Sequence, residues 1–195
     1  MDSFALAVLL LPITPGPAVL TLAGVGSAFG WRHGMSFLLG LLVGVHLVCF
    51  AVISGLAALI IADPVVRIVL LLASSAYLGY LALKIALAGT KIGFIHIAAP
   101  GVITGIMFQL INPKAYAVNT VLFSSFAFYP QNFYVETGLK LLINNALWIP
   151  IHLVWLYAGV KVSQLDLPVQ THKMINFAMS GCLLAVVGLS VVSLY

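Results

Sequence analysis

Two proline motifs interrupt apolar stretches of this chain in the same way, and they constrain its fold more than any other feature. Thr-Pro-Gly-Pro at residues 14–17 breaks the first apolar segment, and Asn-Pro-Lys-Ala-Tyr at residues 112–116 breaks the fourth. Pro15 and Pro113 lie 98 residues apart, which is half of the 195-residue chain. Proline removes a backbone donor, and a carbonyl freed inside a bilayer needs protein or a water-filled cavity to satisfy it. The paired breaks therefore indicate a solute site.

The composition places these breaks inside a membrane. Apolar residues make up 63% of the chain and charged residues only 6%, whereas an ordinary soluble domain carries roughly 25% charged residues. The mean hydropathy is +1.21, so we expect an integral membrane protein. The sequence contains no Gly-rich phosphate loop of the Walker type, which excludes an ATP-driven pump on one chain. Any transport is therefore secondary or passive.

Six apolar stretches approach the roughly 20 residues that a membrane-spanning helix needs. They predict an all-α integral membrane protein with six transmembrane helices, near residues 3–29, 36–61, 66–86, 101–128, 137–160 and 174–194. A shift of 98 residues lays the first three stretches on the last three. Because each half has an odd number of helices, the halves face opposite ways, as in the inverted repeats of many secondary transporters. We expect one domain over 1–195, a 3+3 repeat with helices 1 and 4 interrupted, halves of about 1–90 and 98–195, and a cytoplasmic linker near 87–100.

The basic residues predict the orientation, because Lys and Arg in short loops are retained on the cytoplasmic side. Loops one, three and five hold Arg32, Lys84, Lys91, Lys161 and Lys173. Loops two and four hold Arg67 and Lys140, and the acids Asp2, Asp63 and Glu136 fall on that same side. We therefore expect both termini outside. The basic residues are too dispersed to form a nucleic-acid patch.

The two breaks supply complementary halves of one predicted site. Lys114 lies near the middle of the fourth segment, where insertion scales give an ammonium a cost of roughly 2.5 to 3.5 kcal/mol. It either extends its stem to the interface or faces a water-filled cavity, where it would attract a carboxylate. The helix that resumes after Pro17 presents free N–H groups and a partial positive charge, unless the break is only a kink. The predicted substrate-binding residues are Pro15, Gly16, Pro17, Gln109, Asn112, Pro113 and Lys114.

A polar or proton pathway is predicted on the second and fifth segments. Its candidate residues are His46, Asn144, Asn145 and His152. The repeat places Asn144 opposite His46, with Asn145 next along, although a membrane histidine can also serve only in packing. No carboxylate lies deep in a span, so proton coupling needs a histidine, a boundary carboxylate such as Asp63 or Glu136, or Lys114.

Other intramembrane residues are expected to serve packing. Small residues four apart share a helical face and predict close helix contacts. These pairs are Gly40 and Gly44, Ser75 and Gly79, and Gly101 and Gly105. We expect Cys49 and Cys182 to be small buried hydrophobes, and Trp148 to pack within the bundle.

Four stretches carry a resemblance to a known family. They are Ile-Thr-Pro-Gly-Pro at 13–17, the second span from Gly40 to Gly44 onward, Ala-Tyr-Leu-Gly-Tyr-Leu-Ala-Leu-Lys at 76–84, and Gly105 through Leu-Ile-Asn-Pro-Lys-Ala at 110–115. In this order they resemble the LysE/RhtB superfamily of amino-acid exporters, and the homoserine and threonine branch more than the lysine exporters. Ala18 departs from the polar residue that members commonly carry after Pro-Gly-Pro, which bears on the substrate.

The resemblance implies secondary active export of amino acids or related small metabolites across a bacterial inner membrane. It further implies coupling to the proton-motive force, and it gives functional importance to residues 15–17 and 112–114. We expect transport by alternating access, with both termini periplasmic. The expected partners are membrane lipid, a small-molecule substrate and protons, and the size is compatible with a homodimer.

Other classes of function lack their signatures in this sequence. An intramembrane enzyme would need a His-Glu-x-x-His helix, paired carboxylates, a nucleophile elbow or a cysteine pair. A channel or heavy-metal exporter would need a carboxylate ring or a Cys/His/Met cluster. We therefore predict no enzyme activity, no cofactor, no metal and no nucleic-acid partner. A non-transporting structural or assembly protein, and an exporter of a solute other than an amino acid, stay open as alternatives.

Overall fold

The computed structural model describes residues 1–13, 16–56, 63–87 and 99–165, and residues 170, 171, 173–175, 177, 178, 181, 184 and 185. Six helices have defined bounds in this part: α1 (Asp2–Ile13), α2 (Pro17–Ile53), α3 (Pro64–Leu87), α4 (Val102–Ile111), α5 (Pro113–Ser124) and α6 (Phe133–Gln164). The described residues between 170 and 185 are also helical. Three of these, α2, α3 and α6, are long and apolar enough to cross a membrane. The expected all-helical membrane architecture is confirmed. Pro15, most of the linker near 87–100 and most of the sixth predicted span lie outside the described residues.

Helix α2 consists of two arms that fold back on each other at Gly30. Gly30 has φ 80° and ψ 179°, a backbone conformation that glycine tolerates and that ends the helical path. Leu156 Cδ1 lies against both Gly26 and Gly34, two residues that a straight helix would hold about 12 Å apart. The chain therefore reverses at Gly30, and the arms 17–29 and 31–53 correspond to the end of the first predicted span and to the second.

Both predicted proline breaks are present in the backbone. Helix α1 ends at Ile13, and Gly16 is extended, with φ −133° and ψ 174°, before α2 begins at Pro17. Helices α4 and α5 are separated by Asn112 alone, which has φ −81° and ψ 105°. In both breaks proline occupies the first helical position, where its missing N–H costs nothing.

Several predicted boundaries are wrong. Helix α5 ends at Ser124 rather than near 128, and α2 ends at Ile53, before a turn at Gly55 with φ 78°. Helix α6 is longer than predicted at both ends, and Lys140, whose charge was counted with the fourth loop, lies about two turns inside it. Its ammonium lies 2.8 Å from the Glu136 carboxylate one turn earlier, and both side chains are buried. The pairing compensates the charge that the sequence analysis expected in a loop.

Glycines set the closest contacts between helices. Gly40 on the second arm of α2 lies against the backbone of Val102 and Gly105 on α4, and Gly44 lies against Gln109 one turn further. A Cβ at any of these three glycines would meet atoms of the facing helix closer than real Cβ contacts allow. The prediction of close packing is confirmed at Gly40, Gly44 and Gly105. It is not confirmed at Gly79 or Gly101, where an added Cβ would meet no atom of the described residues within 4 Å.

The interrupted helices pack on long helices from the other half of the chain. Helix α1 lies against α6 through the cluster of Phe4, Val8 and Leu122, with Ile143 and Leu147 beside it. Helix α5 lies against the second arm of α2 through Val48, Ala115 and Tyr116. The two chain breaks are thereby brought together in the interior, where both contribute residues to one pocket.

Candidate functional site

A pocket opens between the two breaks. It encloses about 580 Å³ of space not occupied by atoms, part of it open to solvent. Its wall is built from the two helix starts, from the second arm of α2 and from α6. The lining residues are Gly16, Pro17, Ala18, Val19, Val45, Gln109, Asn112, Lys114, Ala115, Val118, Asn119, Leu122, Asn144, Trp148 and His152.

Lys114 brings a half-buried ammonium to this pocket. A Cβ placed on Gly16 would lie 2.7 Å from Lys114 Nζ, so the ammonium occupies the space that a side chain at position 16 would take. Gly16 is extended rather than left-handed, and its role here is therefore to leave room and not to adopt an unusual backbone conformation. Within the described part of the chain, no carboxylate pairs with Lys114 Nζ.

The start of α2 adds uncapped donors beside this ammonium. Gly16 has no side chain with which to cap the helix, and the carbonyl of Gly16 accepts from Leu20 N at 3.1 Å. Pro17 has no N–H, so Ala18 and Val19 carry the first free backbone donors, and both residues line the pocket. Among the described residues no acceptor satisfies them. The helix start therefore favours an anion at the same place as Lys114.

At the second break, nearby side chains form hydrogen bonds with the backbone groups that the break leaves free. Asn112 Oδ1 accepts from the backbone N–H of Lys114 at 3.1 Å, which removes the donor that Leu110 O would meet in a continuous helix. Tyr116 replaces it, because its hydroxyl donates to Leu110 O at 2.9 Å. Gln109 Oε1 accepts from Asn112 Nδ2 at 3.3 Å. Asn112 thus shapes the break, and the free positive charge comes from the Lys114 side chain.

Helix α6 supplies the opposite wall with neutral polar groups. His152 is only 2% exposed, and its Nδ1 lies 2.8 Å from Trp148 O. Since a carbonyl can only accept, Nδ1 carries the hydrogen, and Nε2 of the neutral ring keeps its lone pair. The imidazole is stacked on the Trp148 indole, with ring centroids 3.5 Å apart. Asn144 lies on the same wall and is also buried.

The predicted polar pathway does not lie together in the structure. His46 is exposed and does not line the pocket. Its Nδ1 lies 2.7 Å from Leu42 O, and its Nε2 lies 3.0 Å from Asn145 Nδ2 rather than against Asn144. The offset prediction is therefore wrong by one residue: His46 meets Asn145 at the surface, while Asn144 turns to the pocket.

Most of the predicted binding residues converge, and some pocket residues were missed. Five of the predicted substrate-binding residues line the pocket: Gly16, Pro17, Gln109, Asn112 and Lys114. Pro113 lies at the helix start without lining it. The sequence analysis did not assign Asn119, which accepts from Cys49 Sγ at 3.1 Å, to the site, and it assigned Trp148 to packing. Spacing could have found both, because Ala115 and Asn119, and Asn144 and Trp148, are four residues apart on their helices.

These features define a class of protein: a polytopic membrane protein with an internal pocket between two broken helices. The model of the family described as LysE type translocator matches residues 9–194 of the chain. The chain belongs to this family of transporters, which are not enzymes. Neither the curated proteins nor the solved structures contain a match to it. It is therefore a multi-pass membrane protein of a translocator family.

Proposed function

We propose that the protein is a secondary active exporter of zwitterionic amino acids or closely related small metabolites across the bacterial inner membrane, as in the homoserine and threonine branch of its superfamily. The substrate carboxylate binds between Lys114 Nζ and the free N–H groups of Ala18 and Val19. The single observation that carries this proposal is that Lys114 Nζ occupies the space beside Gly16 that a Cβ would take. This places an ammonium, which has no carboxylate partner among the described residues, at a helix start without a side-chain cap.

The charge distribution supports an anionic group at this position. A helix start carries a partial positive charge, and so does the start of α5, on which Lys114 itself lies. Three positive groups therefore meet where the described wall of the pocket contains no acid. They repel one another while the pocket is empty, and a bound carboxylate relieves this repulsion. The apolar side chains of Val45, Val118 and Leu122 leave room beyond for a small substrate body.

The helix arrangement supports alternating access by a 3+3 inverted repeat. Each half begins with the same order of elements: a helix, a break, a half-helix and a long helix. In the first half these helices are α1 and the arms 17–29 and 31–53 of α2. In the second half they are α4, α5 and α6. In each half the broken helix packs on the long helix of the other half. We propose that the halves rock against each other about this shared site, that both termini are periplasmic, and that a proton gradient drives the cycle.

The test is efflux from cells preloaded with labelled neutral, basic and acidic amino acids. Wild type is compared with Lys114→Met and with Lys161→Met, which removes an exposed lysine of α6 whose ammonium lies 5.4 Å from the Tyr157 ring centroid. Each is measured with and without a protonophore. We expect wild type and Lys161→Met to export a subset of the panel in a gradient-dependent way, and Lys114→Met to lose this export at equal membrane abundance.

Two results would contradict the proposal. Export by Lys114→Met at the wild-type rate would remove the anion site from the mechanism. A wild type that exports no panel member would refute the amino-acid substrate and favour an exporter of another solute or a non-transporting membrane protein. Export that survives the protonophore would refute only the proton coupling.

A further inference from the structure

We propose that His152 binds the coupling proton, and that its Nε2 is the atom at which this proton and the substrate ammonium compete. This inference rests on the proposed function, because it needs a substrate whose carboxylate binds at Lys114. It assigns the exchange to one of the two histidines on the predicted pathway.

The geometry gives His152 one basic nitrogen in the pocket wall. Its Nδ1 hydrogen is held by Trp148 O at 2.8 Å, and the stacked indole fixes the plane of the ring. The only nitrogen that can gain a proton is therefore Nε2. His46 uses both ring nitrogens, on Leu42 O and Asn145 Nδ2, and lies outside the pocket. Its protonation would not reach a bound substrate directly.

The same nitrogen can serve the substrate. With the carboxylate at Lys114, the ammonium of a zwitterion is directed to the acceptors of the opposite wall, which are Asn144 Oδ1 and His152 Nε2. Neutral Nε2 accepts a hydrogen bond from the ammonium. Protonated Nε2 is itself a donor and carries the same charge, so it repels the ammonium. Proton and substrate therefore exclude each other, which is the requirement for exchange rather than co-transport.

The remaining titratable groups around His152 agree with this assignment. Lys114 is the charged residue in the described wall of the pocket, and the Cys49 thiol is bonded to Asn119 of the same wall. Glu136 and Lys140 lie on α6 more than two turns away and are paired with each other. In the exchange, the substrate leaves to the outside, one proton binds Nε2 from the outside, and that proton is released inside when the next substrate binds. One positive charge then enters per zwitterion exported.

Trp148 provides the readout. An imidazolium stacked on an indole quenches its fluorescence more strongly than a neutral imidazole does. Trp31→Phe and Trp155→Phe leave Trp148 as the single tryptophan of the chain. We expect acidification of this purified variant to quench fluorescence in a one-proton transition that is lost in His152→Gln and retained in His46→Gln and in His33→Gln.

Substrate should move that transition. Competition lowers the midpoint by about two pH units when an amino acid is present at about 100 times its Kd. Each amino acid of the efflux panel is paired with its amine-free acid, such as L-threonine with 3-hydroxybutyrate. The amine-free acid should not lower the midpoint, since its negative charge favours the imidazolium. In proteoliposomes, His152→Gln should lose transport driven by a pH gradient, whereas His33→Gln, at an exposed residue outside the pocket, should keep it.

The results distinguish failure of this proposal from failure of the proposed function. The proposal is overturned if the transition persists in His152→Gln, if it is lost in His46→Gln, if no panel member lowers the midpoint, or if His152→Gln still responds to a pH gradient. Failure of the proposed function is read elsewhere, in a wild type that exports no panel member from cells. A shift by L-threonine without a shift by 3-hydroxybutyrate supports the proposal and locates the ammonium at His152.

Discussion

Gly40 and Gly138 lie 98 residues apart, which is the offset of the proposed repeat, yet their surroundings in the structure differ. A Cβ at Gly40 would meet the carbonyl oxygen of Val102, and would lie 2.8 Å from the Val102 carbonyl carbon and 2.9 Å from Gly105 Cα. A Cβ at Gly138 would meet no atom within 4 Å. Alanine at the two positions should therefore change stability with opposite sign.

The magnitudes follow from two competing terms. Replacing glycine by alanine in a helix interior stabilises by about 0.8 to 1.0 kcal/mol through helix propensity. At Gly138 this gain stands alone. At Gly40 the obstructing atoms are all backbone, so no side chain can rotate away and α4 must shift; overpacking of this kind costs about 1 to 3 kcal/mol. Taking the upper end, Gly40→Ala destabilises by about 2 kcal/mol net.

The assay is thermal unfolding of purified protein in one detergent. For a chain of this length about 1 kcal/mol shifts the midpoint by roughly 2 to 4 °C, so Gly40→Ala should lower it by about 4 to 8 °C and Gly138→Ala should raise it by about 2 to 4 °C. A Gly40→Ala midpoint at or above that of wild type would refute the close contact between α2 and α4. Equal shifts at both positions would refute the difference between the halves.

Two further predictions concern buried polar contacts. Tyr116→Phe removes the donor that satisfies Leu110 O and should destabilise by about 1 to 3 kcal/mol, whereas Tyr157→Phe, at an exposed ring, should leave the unfolding midpoint unchanged; equal effects would argue against the role of Tyr116 in closing the break. Lys140→Met should lower the midpoint by leaving Glu136 unpaired, and adding Glu136→Gln should recover part of the loss, since it removes the orphaned charge; additive losses would show that the pair does not interact.

The sequence was sufficient for the parts of the fold that depend on local chemistry. Proline at 17 and at 113 indicates a helix start at each position, independently of how the helices pack. The glycine pair 40 and 44 predicts a close helix contact from spacing alone. Lys114 was predicted to bind substrate because an ammonium in an apolar segment is costly and is usually kept for a function. Each of these inferences uses only a residue and its immediate neighbours in the chain.

The parts that failed depend on which helix faces which. The repeat offset paired His46 with Asn144. Neighbouring residues of a helix point about 100° apart, so an offset that is wrong by one residue selects the wrong side chain. In the structure Asn145 faces His46, and Asn144 faces the pocket. The charge of Lys140 was counted with the fourth loop although Lys140 lies within the predicted span 137–160. Its pairing with Glu136 is visible only once the helix is known to begin before both residues, at Phe133. Trp148 belongs to the pocket through stacking on His152, which composition cannot indicate.

The contact between Gly16 and Lys114 links the proposed repeat to the chemistry of the site. These two residues are 98 apart, so the proposed repeat assigns them to equivalent positions. Equivalent residues of a two-fold repeat can touch only near its axis, which places their contact at the centre about which the halves would rock. Two long side chains would clash at such a point. Here one half contributes the ammonium of Lys114, and the other half has Gly16, which leaves room for it. The same asymmetry continues in the backbone, because Asn112 caps the helix start that carries Lys114 while Gly16 leaves the other start open. In the proposed mechanism, the two-fold repeat therefore forms one anion site rather than two, located where movement of either half would change its access to solvent.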